Sequence, residues 1–225
     1  MQAGPAIAVM AKAPRPGLAK TRLIPALGAE GAAALARAFL EDSAALAADV
    51  AAQAGGAALV FATPDDACDE IAAITGLETL GQGAGDLGAR MVAAFETLFA
   101  RGHRAAILIG TDSPALPASH LATALTLLAA QPGRAVFGPA GDGGYWMVGL
   151  TAPAPALFQG IGWGGSEVMA ATGQAAARAN IALALAPTWD DTDEPADLPR
   201  LAAQLAADPA CAPVTRAALG KLWRC

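Results

Sequence analysis

The sequence predicts an α/β fold with a mainly parallel sheet, and three observations carry that expectation. Short apolar runs that read as buried strands alternate with longer Ala- and Leu-rich stretches that read as helices. Pro, Gly and Asp turn chemistry separates the two kinds of segment. The most unusual loops, 11–22, 111–117, 138–144 and 189–197, all follow strands. Strands separated by helical stretches argue for βαβ units, and in open sheets of that kind ligands bind beyond the carboxyl ends of the strands.

Each element is read in order. Residues 6–10 form a first buried strand, followed by a Pro/Gly-rich loop to Pro25 and a long helix over 29–54 that ends at Gly55–Gly56. Residues 57–63 are a second strand, stopped at Thr63–Pro64–Asp65–Asp66, where turn chemistry and a helix start coincide. A short helix precedes a strand at 77–80, and the glycine-rich loop 81–85 leads into a helix over 86–100. The clearest strand is 105–110, followed by a helix over 118–130. Strands at 135–137 and 145–150 flank the loop 138–144; a helix over 167–180, a strand at 182–185 and two helical stretches toward Trp223 complete the chain. No composition shift divides the 225 residues, so one domain, 1–225, is expected.

Composition narrows the function. Hydrophobic residues make up 55 %, but alanine dominates them and no long run is free of charges and breakers, so no membrane span is expected. The first ten residues lack a basic region and run straight into a strand, unlike a signal peptide. A net charge of −6 without basic runs argues against nucleic-acid binding. Cys68, Cys211 and Cys225 are far apart, which fits a reducing cytoplasm better than a disulfide framework.

Against that acidic background, Lys12, Arg15, Lys20 and Arg22 fall within eleven positions, in the loop of MAKAPRPGLAKTRL. Prolines stiffen this loop, and Gly17 lets the backbone turn or approach a ligand closely. Four cations directly after the first strand can neutralise a diphosphate, unless they form only a solvated basic loop. The Gly-Lys-Ser/Thr ending of a Walker loop is missing. In ILIGTDSPAL, a buried strand delivers Asp112, a candidate ligand for Mg²⁺ or Mn²⁺, although Asp before Ser-Pro is also ordinary turn chemistry. GPAGDGGY holds four glycines and Asp142, a candidate base or hydroxyl acceptor; Gly143 and Gly144 allow a ligand close to the backbone. WDDTDEPADL packs five acids into ten residues, so Asp191 or Asp193 can add a metal ligand, or the run can simply start a helix. In GQGAGDLGAR, Gln82 and Asp86 are candidates for holding a base or ribose, but the spacing is not a dinucleotide fingerprint.

Together the segments AKAPRPGLAKTRL, GDLGARM, GTDSPALP, GPAGDGGYWMVGL and DDTDEPADL resemble a family of small bacterial GT-A-like transferases, DUF2064. A looser resemblance extends to 2-phospholactate guanylyltransferase and the molybdenum-cofactor nucleotidyltransferases. The resemblance implies the nucleotide-diphospho-sugar transferase fold, a three-layer α/β/α sandwich around a Rossmann-like, mostly parallel sheet. It implies that Lys12, Lys20 and Arg22 hold phosphates, that Asp112 binds metal with Asp191 and Asp193, and that Asp142 belongs to the acceptor side. Two departures stand out: Gly141 where relatives often carry aspartate, and Gly164–Gly165 where they tend to carry Ser-Thr after the tryptophan.

The leading expectation is metal-dependent glycosyl transfer from a nucleoside diphosphate sugar to a small acceptor, with Asp112, Asp142 and Lys20 as catalytic groups. Nucleotidyl transfer from an NTP, releasing pyrophosphate, needs the same cations and metal. A degenerate nucleotide-binding homologue is the third reading, and oligomeric state stays open.

Overall fold

The computed structural model describes residues 3–223; the expectations touching Met1, Gln2 and Cys225 concern residues outside that range. The strands β1 (Ala6–Lys12), β2 (Ala57–Thr63), β3 (Thr79–Gly81), β4 (Ala106–Ile109), β5 (Ala135–Pro139), β6 (Tyr145–Leu150) and β7 (Leu183–Leu185) join one seven-stranded sheet. Its order is β3-β2-β1-β4-β6-β5-β7, and β6 alone runs antiparallel to its neighbours. The expected mostly parallel sheet is observed.

Period-two alternation in β1 explains why its whole run is apolar. Ile7, Val9 and Ala11 pack on one face of the sheet, while Ala6, Ala8 and Met10 pack on the other. The first face is covered by α1 (Ile24–Gln53), α2 (Cys68–Thr75) and α4 (Ala118–Ala130), through Leu40, Ile71 and Leu121. The second is covered by α3 (Leu87–Ala100) and α5 (Val168–Arg178), through Met91, Phe95 and Ala176. The result is three layers. Helix α1 has a non-helical residue, Gly28, so its unbroken part begins at Ala29, where the sequence pattern starts it.

By length and composition alone the segment Thr21–Gln53 could cross a bilayer, yet half of its most apolar window is buried inside the protein. Its alanines let it lie close to the sheet on one side. On the other, Leu35 and Phe39 join Leu201, Leu205 and Leu219 of α6 (Leu198–Ala207) and α7 (Pro213–Leu222).

Asp42, on α1 and 6 % exposed, fastens this last layer. The residue before α7, Ala212, offers no side-chain cap, so Asp42 accepts from Val214 N at 3.3 Å and Thr215 N at 2.6 Å instead. Replacing Asp42 with alanine orphans those donors and should cost about 1–2 kcal/mol, the scale of a lost cap. A urea titration of Asp42→Ala against the native chain checks this; an unchanged midpoint would refute the capping role.

Candidate active site

The four loops expected to converge do so at one edge of the sheet. β6 is antiparallel, so its first residue, Tyr145, lies at the same edge as the last residue of β5, Pro139. Backbone bonds tie the loops together. Thr192 N donates to Asp112 O at 2.8 Å, Trp189 N to Pro139 O at 3.1 Å, and Met169 N to Gly143 O at 2.9 Å.

At the centre stands Lys20, whose side chain is only 6 % exposed. Its ammonium lies 2.5 Å from Asp112 Oδ1 and 2.8 Å from Asp193 Oδ1, and donates to Thr192 O at 2.6 Å. It also sits 5.2 Å from the centre of the Phe39 ring. Burial opposes the charge, but the two carboxylates overcome it and hold the Lys20 pKa above its ordinary value. The backbone of Lys20 is left-handed, φ 49°, and aims the side chain inward just before a 3₁₀ turn at Thr21–Leu23.

Asp191 is the third acid of the group. Ser113 Oγ donates to its Oδ1 at 2.5 Å, and Arg200 donates to its backbone carbonyl. Burial pushes the Asp191 carboxyl up to about 6, with the charges of Asp112 and Asp193 adding to the rise and the Ser113 bond and Lys20 opposing it. Among the described residues no three Asp, Glu, His or Cys side chains close into a ready-made cation cage. The acids are instead arranged about the Lys20 ammonium.

A cleft of about 440 Å³ opens over this cluster. Lys12, Lys20 and Arg22 line it together with Asp112, Asp142, Asp191 and Asp193, and with Gly144, Tyr145, Trp163 and Gly164–Gly165. Lys12 is exposed and makes no ion pair among the described residues, while Arg22 stands a loose 3.7 Å from Glu194. Two cations therefore remain available to an anionic ligand.

The loop carrying Asp142 is held by close approaches. Gly143 has φ +88°, and a Cβ there would meet Ser166 O at 1.9 Å. Gly144 N donates to Asp142 Oδ1 at 2.8 Å. Gly141 N donates to Asp190 Oδ1 at 3.0 Å, and a Cβ at Gly141 would meet that same oxygen at 2.6 Å. The space a side chain at Gly141 would need is thus occupied from across the edge by the carboxylate of Asp190.

Several expected ligand-binding residues stand elsewhere. Gln82 is buried, and its amide donates to Ala11 O at 3.2 Å and Phe61 O at 2.8 Å, bridging β1 and β2 in place of a base. Asp86 caps α3, accepting from Ala89 N at 2.8 Å. Arg15 turns toward α2, where it meets Glu70 at 2.8 Å and Asp66 at 3.6 Å. Gly17, with φ +74°, bends the loop but does not line the cleft. Conversely, Ser113, Asp190 and Thr192 escaped the sequence reading. Nothing local distinguishes them, because each acts on a partner 49 to 172 residues away.

The fold has known counterparts. A candidate nucleotide-diphospho-sugar transferase from Desulfovibrio desulfuricans G20 is 30 % identical over 96 % of this chain and 94 % of its own, with a TM-score of 0.85. A cytidylyltransferase from Leptospira borgpetersenii shares 13 % identity over 97 % and 94 % of the two chains, with a TM-score of 0.57. Glucosyl-3-phosphoglycerate synthase from Mycobacterium tuberculosis, solved with Mn²⁺, UDP and glucosyl-3-phosphoglycerate, shares 12 % identity over 96 % and 80 %, with a TM-score of 0.52. The last two establish likeness of fold alone. No curated protein matches the sequence. The family model described as "Uncharacterized protein conserved in bacteria (DUF2064)" matches residues 45–165, more than half of the chain. With that match and the similarity to the Desulfovibrio protein along almost the whole length of both, the chain belongs to the DUF2064 family.

Proposed function

We propose that the protein is a glycosyltransferase that moves a sugar from a nucleoside diphosphate sugar to a small hydroxyl acceptor with the help of a divalent cation. One observation carries the reading: Lys12, unpaired among the described residues, and the loosely paired Arg22 line the same cleft as Asp112, Asp191 and Asp193, with Lys20 ion-paired to two of those carboxylates. The cations suit a diphosphate, and the carboxylates would supply oxygen ligands to a divalent cation that offsets its charge. The Desulfovibrio relative and the Mn²⁺- and UDP-bound neighbour lend support, the latter through its fold only.

The donor set fits Mg²⁺ or Mn²⁺. Asp112 and Asp193 already share one cation, the Lys20 ammonium, and Asp191 adds a carboxylate beside them. Asp112 with Asp191 or Asp193 would hold the metal, which needs no larger protein cage when substrate phosphates are present; when bound it would neutralise charge on the leaving diphosphate. The rest falls to the chain itself. Lys12 and Arg22 bind phosphate oxygens, and Lys20, kept protonated, supplies fixed positive charge beside them. The bond from the sugar's anomeric carbon to the diphosphate breaks as the acceptor oxygen bonds to that carbon. Asp142 takes the acceptor's proton. Tyr145 and Trp163 narrow the cleft against water.

Thermal shift with UDP- and GDP-sugars, nucleoside diphosphates and triphosphates, each with and without Mg²⁺ or Mn²⁺, tests the reading. A donor at about a hundred times its Kd stabilises by about 2.7 kcal/mol, or roughly 5–10 °C for a chain of this size. A metal-dependent shift with a diphosphate sugar is the expected result. A shift with triphosphates alone would replace this reading by nucleotidyl transfer, and no shift with any nucleotide would leave a degenerate homologue.

A further inference from the structure

A second recess, of about 270 Å³, opens from the cleft on the α3 face of the sheet. The two share Met10, Leu87, Tyr145, Asp112 and Asp191, so the recess is continuous with the candidate active site. Its walls include Met10, Leu87 and Met91, and its floor includes Leu108 of β4, Gly110 just beyond that strand and Val148 of β6. Methionine side chains adapt to irregular apolar shapes, which suits a binding wall. Leu87, 45 % exposed, lines both the recess and the cleft and continues the apolar lining to the mouth. Gly110 leaves the floor open: a Cβ there would meet nothing closer than Asp112 N at 3.9 Å.

We propose that this recess binds a compact apolar group, of phenyl or cycloalkyl size, carried by the acceptor. Its hydroxyl would then stand at the shared mouth, in the cleft that Asp142 also lines. The inference rests on the transferase reading and names the acceptor class for it. A nucleobase or sugar fits poorly, because each needs hydrogen-bond partners along its edge. Apart from the Tyr145 hydroxyl, 3.9 Å from Met91 Sδ, and the Trp146 ring N–H, already bonded to Pro187 O, the hydrogen-bonding side chains of the recess are Asp112, Ser113 and Asp191, and the first and last of these are shared with the main cleft. Size agrees as well. An apolar cavity of about 150 Å³ stays dry and accepts benzene, so this one takes a ring with a short substituent.

The test uses benzyl alcohol and cyclohexylmethanol as probes, with glycerol as the polar control, on the full chain by saturation-transfer NMR titration. Wild type should bind both apolar alcohols and not glycerol. Gly110→Leu, which fills the floor, and Leu87→Asp, which makes the mouth polar, should each weaken that binding at least tenfold. The second variant is at an exposed position and guards against misfolding of the first. Apolar binding that neither variant alters, or glycerol binding as well as the ring alcohols, would overturn the inference. Nucleotide-dependent thermal shifts are recorded on the same samples. A metal-dependent shift with a diphosphate sugar but no alcohol binding would sink the acceptor class and leave the transferase reading standing. Alcohol binding with no nucleotide shift would sink the transferase reading and, with it, the acceptor role.

Discussion

Replacing Lys20 with methionine is expected to lower sugar transfer by about 10²–10³-fold while leaving the protein folded. The ammonium is the positive charge closest to both Asp112 and Asp193, at 2.5 and 2.8 Å. Methionine keeps the length of the chain against Phe39 but supplies no charge, so Asp112, Asp191 and Asp193 are left facing one another. Breaking a fully buried pair costs about 3–5 kcal/mol. Here the two carboxylates are 42 % and 40 % exposed and water screens their repulsion, so about 2 kcal/mol is the expected loss. Denaturant unfolding and steady-state kinetics read the two effects separately. Transfer that falls only in proportion to the folded fraction would remove Lys20 from the chemistry and leave it a structural clamp. Arginine would not restore it, because a planar fork cannot occupy the space of a compact ammonium held between two carboxylates and Thr192 O.

The elements of this fold are legible in the sequence where one residue pattern decides them. β2 (Ala57–Thr63), β6 (Tyr145–Leu150) and α4 (Ala118–Ala130) have the bounds that their apolar runs and turn residues indicate. The strand order is not legible, since pairing β1 with β4 depends on which faces fit after the crossover. The site shows the same division. Acids after strand ends and cations after β1 point to one edge because the topology of parallel sheets places them there. Proximity in sequence misled at Arg15, however. It lies five residues from Lys20, yet the bend at Gly17 sends the two in different directions, one to Glu70 and one to Asp112. Gln82 misled for a different reason. A glycine-rich loop reads as a ligand cradle, but the ends of β1 and β2 leave carbonyls that a buried amide must satisfy, and Gln82 meets that demand.

Asp112→Asn should separate metal binding from folding more cleanly than any other change. Asparagine has the same shape and can still meet the Lys20 ammonium with its carbonyl oxygen, and Asp193 keeps its own bond to that ammonium at 2.8 Å. The backbone bond from Thr192 N to Asp112 O does not involve the side chain. Stability should therefore change by less than about 1 kcal/mol, the range of a half-exposed ion pair. Removing one anionic oxygen from a site with few protein ligands is a larger loss for a hard cation, which relies on charged oxygens. Mn²⁺-dependent binding of the nucleotide should weaken by about a hundredfold, equivalent to about 2.7 kcal/mol. Binding measured without metal should hardly change, since Lys12 and Arg22 still line the cleft. Calorimetric titration of one nucleotide with and without Mn²⁺, on both proteins, gives the four numbers needed. If Mn²⁺ strengthens nucleotide binding equally in both, Asp112 holds no metal, and its role reduces to orienting Lys20.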